Sequence, residues 1–227
     1  MITLHHLENS ASIRILWLLE EVGLPFELVM YDRDPKTMLA PDRYKALSPL
    51  GTAPVITDGS VAISESAAII DYVVDQLDDP ALAQSLRPEP GDPLRADYLF
   101  WFHAAGASVQ PMLTMRFVHG IAGERAPRLV RGLARRVLGA VDDAFTTPRL
   151  RAALGALDKQ LTRHPYIAGD RFTAADIAFG YTLLMAGLRG GTLDAFPEIR
   201  AYVARMCDRP AWQRALARDG KFAGLPS

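Results

Sequence analysis

Three small polar residues lie where a predicted strand ends and a predicted helix begins. Asn9, Ser10 and Ser12 follow the alternating segment 2–7 and precede an apolar segment that starts at Ile13. A hydroxyl at such a junction can donate a hydrogen bond to an anion, and a helix start stabilises negative charge. The same hydroxyls could instead cap the helix. We expect either a cap or a group that stabilises a reacting anion, and Ser10 is favoured because it can both leave the strand and face the helix start.

A second polar pair could hold the charged end of a ligand. Glu65 and Ser66 open a predicted helix, whose free amides, with the Ser66 hydroxyl, can hold a carboxylate. Glu65 can pair with an ammonium group. The pair could also be a plain helix cap with an acidic first turn.

The other reactive side chains indicate no metal site. The five histidines lack metal-ligand spacing, and His5 and His6 would point to opposite faces of a strand. The single cysteine, Cys207, can form no intrachain disulfide and is expected to serve packing on a late helix. We therefore predict that the protein uses no metal.

The elements that must position these residues differ between the two parts of the chain. The first 78 residues read as β-α-β, a proline-rich loop, and β-β-α, with Asp58-Gly59 as a tight hairpin turn. Strand–helix–strand spacing implies a right-handed parallel crossover. The predicted elements here are strands 2–7, 27–31, 54–57 and 61–63, a helix over 13–23, a short helix around 41–47 and a helix opening at 64.

A proline-rich stretch leads into a part whose hydrophobic period is helical throughout. Four prolines lie between residues 78 and 93 and predict a stiff linker. Beyond it, apolar stripes at helical spacing run over 130–141 and 150–161. We predict an α/β domain over 1–79, a linker over 80–92 and an all-α helical domain over 93–227.

The segment Phe172–Ile177 reads as a capping box with a hydrophobic staple. The Thr173 hydroxyl is expected to accept from the Asp176 amide, and the Asp176 carboxylate is expected to reach back to the helix start. Phe172 and Ile177 would form the staple. This pattern predicts the start of a helix.

Composition excludes several classes of partner. The chain has 227 residues and a net charge of −1, which gives no long-range attraction to nucleic acid or anionic lipid. The aromatic segment 98–106 lacks interleaved lysine or arginine, which disfavours nucleic-acid stacking. No signal-peptide pattern is present, and the apolar stretch 177–188 is too short to span a bilayer. We expect a cytoplasmic protein with neither a nucleic-acid nor a membrane partner.

Four stretches in this order carry a family resemblance: NSASIRILWLLEEVG, SPLGTAPVI, SESAAIIDYV and YIAGDRFTAADIAFG. With them, the chain resembles the cytosolic glutathione transferases, especially bacterial and fungal members close to the theta and beta classes. The resemblance covers nearly the whole chain. It implies a thioredoxin-like α/β N-terminal domain, an all-α C-terminal domain, a homodimer and glutathione as co-substrate.

The resemblance also implies roles for particular residues. Ser10, four residues before Arg14, would hydrogen-bond the glutathione sulfur, with Asn9 and Ser12 as alternatives, and a cis peptide bond would precede Pro54. Val55 would pair its backbone with the cysteinyl part, and Glu65-Ser66 would hold the γ-glutamyl end. The glutathione-binding residues expected on this basis are Thr52, Ala53, Pro54, Val55, Glu65 and Ser66. The electrophile pocket would include Ala105, Ser108 and Met112.

Two positions depart from the family pattern. Thr52 stands where many relatives have lysine, and Ser48 where many have histidine. The cation for the glycyl carboxylate is therefore left open among Arg33, Lys36, Arg43 and Lys45.

The function expected from the resemblance is transfer of the glutathione thiolate to a small apolar electrophile. A glutathione-dependent peroxidase or isomerase would use the same residues, so the sequence leaves these activities as alternatives. A binding module without turnover is a third hypothesis, motivated by the departures at Thr52 and Ser48. A thiol transferase is disfavoured because disulfide exchange needs a protein thiol where Ser10 stands. The electrophile pocket is also expected to involve the tail 221–227.

Overall fold

A computed structural model of the protein describes residues 1–188 and 191–222. In the tail assigned to the electrophile pocket, residues 223–227 lie outside the described residues. The elements in chain order are β1 Ile2–Leu7, α1 Ile13–Val22, β2 Phe26–Tyr31, α2 Asp42–Lys45, β3 Val55–Asp58, β4 Val61–Ser64, α3 Ser66–Asp75, α4 Pro80–Leu86, α5 Arg95–Ala104, α6 Gln110–Arg125, α7 Arg131–Val141, α8 Thr147–Leu161, α9 Ala174–Leu188, α10 Pro197–Cys207 and α11 Pro210–Asp219.

The first part of the chain forms a four-stranded mixed sheet in the order β2-β1-β3-β4. Strands β1 and β2 are parallel, as the predicted crossover requires, and β3 pairs antiparallel with both β1 and β4. Gly59, at φ +57°, lies in the tight turn between β3 and β4, where a left-handed backbone favours glycine. The predicted α/β architecture is therefore confirmed.

The second part of the chain is helical, also as predicted. Helix α4 lies inside the stretch 80–92, which the prolines had marked as a linker, so part of that stretch is ordered as a helix. Asp79 starts it by accepting from the amides of Ala81 and Leu82, and Pro80 occupies its first turn. The domain limits at 79 and 92 stay predictions.

The first two turns of helix α1 are buried on all sides. All seven residues from Ile13 to Leu19 are buried. The sheet covers one face of α1 and helices α9 and α11 cover the other, so a charged residue, Arg14, is enclosed with the apolar ones. Gly180 permits the close approach of α9, because an added Cβ would lie 2.5 Å from Cζ3 of Trp17.

The capping box at the start of α9 forms with one change from the predicted hydrogen bonds. The Asp176 carboxylate accepts from the Thr173 amide at 2.8 Å, as expected. The predicted bond from the Asp176 amide to the Thr173 hydroxyl is wrong: that amide donates to the Thr173 carbonyl at 3.0 Å, and the hydroxyl accepts from the Ala175 amide. The hydroxyl donates its own proton to the buried carboxylate, which draws it toward Asp176.

Within residues 1–188 and 191–222, the helices are all too short or too polar to cross a membrane.

Candidate active site

A cleft with a volume of about 760 Å³ opens where the helices of the second part face the start of α1, the start of β3 and the start of α3. Another cavity, of about 320 Å³, lies between α6 and α7, but the polar residues singled out from the sequence do not line it. The cleft is lined by Ala11, Arg14, Ala53, Pro54, Glu65, Ser66, Ala67, Phe102, His103, Gly106, Ala107, Gln110, Pro111, Thr114, Met115, Val118, His119 and Ala178.

Four of the residues expected to bind glutathione lie together on this cleft: Ala53, Pro54, Glu65 and Ser66. The peptide bond between Ala53 and Pro54 is cis, as the resemblance implied. The Val55 side chain is fully buried next to Tyr44, so only its main chain can face a ligand. Thr52 is exposed and lies outside the lining.

Glu65 is held in an unfavourable backbone conformation at the edge of the cleft. It precedes α3 with φ +77° and ψ 121°, and its side chain makes no capping hydrogen bond. Such positive-φ positions in residues other than glycine cost roughly 1–3 kcal/mol and are concentrated at ligand-binding sites. Within the described chain, the Glu65 carboxylate has no hydrogen bond or ion pair, so it is available to a cation of a ligand.

At the junction of β1 and α1, the Ser12 hydroxyl does not cap the helix, whereas the Ser10 hydroxyl accepts from the Ser12 amide at 3.2 Å. Ser12 is the N-cap residue of α1 but makes no side-chain capping bond. Ser10, 5% exposed, donates from Oγ to the Leu7 carbonyl at 2.7 Å, and its Oγ lies 2.7 Å from Ser12 Oγ. Of these neighbouring residues, Ala11 lines the cleft, whereas Ser10 and Ser12 do not. Asn9 is exposed and has a positive φ of +48°.

Behind Ser12, a buried chain of polar groups reaches the end of α11. Ser12 Oγ lies 3.0 Å from His6 Nδ1, and His6 Nε2 hydrogen-bonds Asp219, 213 residues away in sequence. An ionised carboxylate only accepts, so His6 Nε2 carries the proton of this bond. Burial tends to raise the pKa of Asp219, but hydrogen bonds from His6 and from the Lys221 amide outweigh it and hold that pKa below its usual value.

His5 and His6 have separate partners, in line with the opposite faces expected from their strand. His5 contacts the Tyr31 hydroxyl and Thr57 Oγ1, each at 3.0 Å. The described residues contain no cluster of three or more histidine, cysteine or acidic side chains able to hold a metal ion. Burial raises the pKa of the Cys207 thiol to about 11, which suits a packing role for this cysteine.

The guanidinium of Arg14 lies in the lining of the cleft yet is almost completely buried. The side chain is 2% exposed, and Nη2 donates to Gln110 Oε1 at 2.7 Å and to Thr182 Oγ1 at 3.3 Å. Its guanidinium carbon stands 5.0 Å from the centre of the Tyr181 ring. Burial lowers the pKa of Arg14 to about 10, so the group is positively charged at neutral pH.

The residues on the helical wall of the cleft are different from those that the resemblance implied for the electrophile pocket. A π-helical turn, Ala105–Val109, joins α5 to α6 without a break. The wider turn shifts the helix face, so Gly106, Ala107 and Gln110 line the cleft. Of the residues expected in the electrophile pocket, Ala105 is buried in the core, Met112 packs against that core and Ser108 is exposed outside the lining.

The four basic residues considered for a glycyl carboxylate also lie outside the lining. Arg33 donates to the carbonyls of Glu8, Asn9 and Met38, and Lys45 pairs with Asp42. Arg43 stacks over Tyr31 at 5.0 Å, and Lys36 lies in the loop before α2. The lining itself offers Arg14, His103 and His119. The sequence did not single them out as ligand-binding residues, because only the tertiary structure brings α1, α5 and α6 to the same cleft.

Sequence comparisons match both parts of the chain to one family. The family described as "Glutathione S-transferase, N-terminal domain" matches residues 10–76, and "Glutathione S-transferase, C-terminal domain" matches residues 142–210. The curated relative "Glutathione S-transferase 3" of Schizosaccharomyces pombe is 32% identical over 212 residues, which cover 93% of this chain and 85% of the relative. "Glutathione S-transferase GST-4.5" of Xanthomonas campestris is 29% identical over a region that covers 87% of this chain and 88% of the relative.

Structural comparisons agree with the sequence comparisons. A glutathione S-transferase from Actinobacillus pleuropneumoniae superposes with a TM-score of 0.77 at 26% identity, covering 98% of this chain and 94% of its own. A glutathione transferase family member from Pseudomonas fluorescens, solved with two glutathione molecules bound, superposes with a TM-score of 0.74 at 27% identity, covering 95% and 92%.

Proposed function

The chain belongs to the glutathione S-transferase family, and on that premise we propose that its cleft holds glutathione against a small electrophile with an apolar body. One observation carries this proposal. The residues suited to glutathione, Pro54 and Glu65-Ser66, share a single cleft with an apolar helical wall that includes Phe102 and Val118.

The charged groups of glutathione determine how it lies in the cleft. The γ-glutamyl ammonium pairs with the Glu65 carboxylate, and the γ-glutamyl carboxylate binds the amides at the start of α3 beside the Ser66 hydroxyl. The cysteinyl part runs along the main chain of Val55, which follows the cis bond. This arrangement directs the sulfur toward the start of α1, where the helix dipole favours a thiolate.

The reaction needs the thiolate, since a free thiol with a pKa of about 8.5 is only slightly ionised at neutral pH. Lowering the thiol pKa by about two units is worth about 2.7 kcal/mol, at roughly 1.36 kcal/mol per unit. The thiol proton leaves to solvent and the sulfur forms a bond to the electrophilic carbon. In substitution, the leaving group departs with the electrons of its bond to that carbon. In addition to an activated double bond, the π electrons move away from that carbon and the anion formed takes a proton from solvent.

We propose Ser10 as the hydroxyl donor to this sulfur, ahead of Asn9 and Ser12. Ser12 Oγ already accepts from the Leu7 amide at 3.2 Å and contacts His6, so it is committed to the buried chain. The Ser10 hydroxyl can donate its proton either to the Leu7 carbonyl or to Ser12 Oγ. A rotation about the Ser10 side chain would turn this proton from the carbonyl to a thiolate.

Ser10→Ala is expected to raise the pKa of the bound glutathione thiol and to lower kcat/KM about ten- to a hundredfold. Losing one donor to a developing anion costs on the order of 10²–10³ in rate in a dry site, and this cleft is open to water. Glutathione affinity should change little, since Val55, Glu65 and Ser66 hold the peptide. Thiolate absorbance titrated against pH measures the effect.

Asn9→Ala and Ser12→Ala serve as the matched variants for this titration. The assignment fails if Ser10→Ala titrates like the wild type while either neighbour variant does not. It also fails if Ser10→Ala loses glutathione affinity in parallel with rate, because a donor to sulfur alone should leave the peptide contacts in place.

The overall function is tested by glutathione affinity capture, followed by a conjugation assay with an aromatic halide. Capture together with turnover supports transferase activity. Capture with turnover of organic hydroperoxides alone would replace this activity with a peroxidase. Capture with neither activity would leave a binding module, and failure to bind glutathione at millimolar concentration would end the proposal.

We also propose that the protein acts as a homodimer through an apolar surface on its helical part. Every residue of α7 is at least partly exposed, although the helix carries an apolar stripe. Leu133 is 66% exposed and Phe100 is 61% exposed, with Val137 and Phe117 also exposed on this part of the chain. Exposed apolar clusters of this kind mark protein interaction sites.

Leu133→Glu is expected to convert a dimer into monomers, because a buried unpaired carboxylate opposes association at an apolar interface. Light scattering after size exclusion measures the mass. Arg151→Glu, an exposed charge change on α8, is the control for a general effect of added negative charge. A wild type that is monomeric at micromolar concentration, or a Leu133→Glu protein that stays dimeric, would contradict this surface.

A further inference from the structure

Arg14 is a buried cation on the cleft, and none of the described carboxylates forms an ion pair with it. In the part of the chain that the structure describes, Arg14 forms no ion pair, and its only hydrogen-bond acceptors are the neutral groups of Gln110 and Thr182. Its Nε is shielded from solvent and has no hydrogen-bond partner. A charge in this position is usually paired, because transfer out of water is costly otherwise.

The carboxylate that most affects Arg14 electrostatically is that of Glu65. It lies beyond ion-pair distance, although it raises the Arg14 pKa against the effect of burial. In the proposed complex, Glu65 pairs with the ammonium group of glutathione. Glu65 is then engaged with glutathione, so a direct partner for the Arg14 guanidinium has to come from another anion.

We propose that Arg14 forms an anion subsite in the cleft and that the electrophile carries a carboxylate which binds there. This inference rests on the proposed transferase function and adds the substrate class. Arginine is suited to the role because its planar guanidinium donates to both oxygens of a carboxylate. The apolar residues Phe102, Met115 and Val118 then cover the body of the same molecule.

The location of the partners of Arg14 assigns this anion to the electrophile rather than to the sulfur. Gln110 lies at the start of α6 and Thr182 on α9, and both helices belong to the part of the chain that forms the apolar wall. The residues proposed for glutathione come from β3 and α3. Arg14 thus holds a group on the electrophile side, while Ser10 serves the sulfur.

The test compares two acceptors of nearly the same shape, one charged and one neutral, and follows how the ratio of their kcat/KM values changes between variants. A chloronitrobenzoate and the corresponding chloronitrobenzamide react alike: the glutathione sulfur forms the carbon–sulfur bond, the carbon–chlorine bond breaks, chloride leaves with its electrons and the thiol proton goes to solvent. The wild type should prefer the benzoate. Arg14→Met should lower the ratio of kcat/KM for benzoate over benzamide by about tenfold or more, mainly through KM of the benzoate.

A second variant covers the case in which Arg14→Met fails to fold. Gln110→Glu places a carboxylate where Oε1 now lies, 2.7 Å from Arg14 Nη2, and should close the subsite from within the chain. Its ratio of kcat/KM for benzoate over benzamide should fall as in Arg14→Met, and this ratio is the readout because Gln110 itself lines the cleft. Arg116→Met is the charge control, since Arg116 lines the separate cavity between α6 and α7; it should keep the preference.

Two results would overturn the proposal. An unchanged acceptor ratio in both Arg14→Met and Gln110→Glu would show that no anion binds at Arg14. Equal slowing of both acceptors, with a raised thiol pKa, would assign Arg14 to the thiolate. Absence of turnover with either acceptor in a wild type that binds glutathione would instead count against the transferase function itself.

Discussion

Replacing Asp176 with alanine is expected to lower the free energy of unfolding by about 3–5 kcal/mol. The carboxylate is fully buried and accepts from the amides of Ile167 and Thr173 at 3.0 and 2.8 Å and from the Tyr202 hydroxyl at 2.8 Å. Alanine leaves these three buried donors without an acceptor, and each such loss costs roughly 1–3 kcal/mol. Urea unfolding, followed by circular dichroism, measures the change.

Two variants separate this network from a general effect of losing an acid. Tyr202→Phe removes a single hydrogen bond and should cost about 1 kcal/mol. Asp170→Ala removes an acid whose side chain is 77% exposed and pairs with His164, so stability should change by less than about 1 kcal/mol. A loss below about 1 kcal/mol for Asp176→Ala would show that the network contributes little.

Asp219→Ala should also destabilise the protein by about 3–5 kcal/mol, because it removes one partner of a buried pair and leaves the other unpaired. His6 and Asp219 are both buried, and their bond fixes α11 to β1. The Lys221 amide loses its acceptor as well. Arg218→Gln is the control for loosening of α11, since it breaks a partly exposed pair with Glu20 and should cost no more than about 1 kcal/mol.

The pH dependence of this loss follows from the lowered pKa of Asp219. A carboxylate whose pKa is lower in the folded state stabilises that state above its unfolded pKa, which is about 3.9 for aspartate. Its contribution is lost as pH falls through the folded value. The difference in stability between wild type and Asp219→Ala should therefore be complete at neutral pH and shrink below about pH 4. A difference that stays constant into strong acid would contradict the lowered pKa of Asp219.

Much of the fold could be predicted because it is encoded by local patterns. Three of these patterns each involve only residues within a few positions of one another: the alternation of apolar and polar residues over 2–7, the apolar spacing of 13–23 and the turn at Asp58-Gly59. Each of the elements that they predict is present. The capping box at Thr173 is likewise a local signal. The resemblance to the family rested on four such local segments in a fixed order, and the comparisons show the same family.

The candidate site was predicted less completely, since a cleft is lined by residues that distant packing brings together. Pro54 and Glu65 were found because each lies at the start of an element, where backbone groups are exposed to a ligand. Gly106 and Gln110 were missed because a π-helical turn changes the helix face, and a residue pattern read at α-helical spacing does not contain that shift.

The sequence by itself determined the order of the elements, the family and the positions where a strand or helix start could hold a charged ligand, because these depend on residue types close together in the chain. Only the tertiary structure decided that Arg14 is enclosed with no carboxylate partner among the described residues, that His6 meets Asp219 from 213 positions away, and that the apolar stripe of α7 stays exposed. Each of these outcomes depends on which distant element packs against a given face. The periodicity of a single helix or strand does not indicate which element that is.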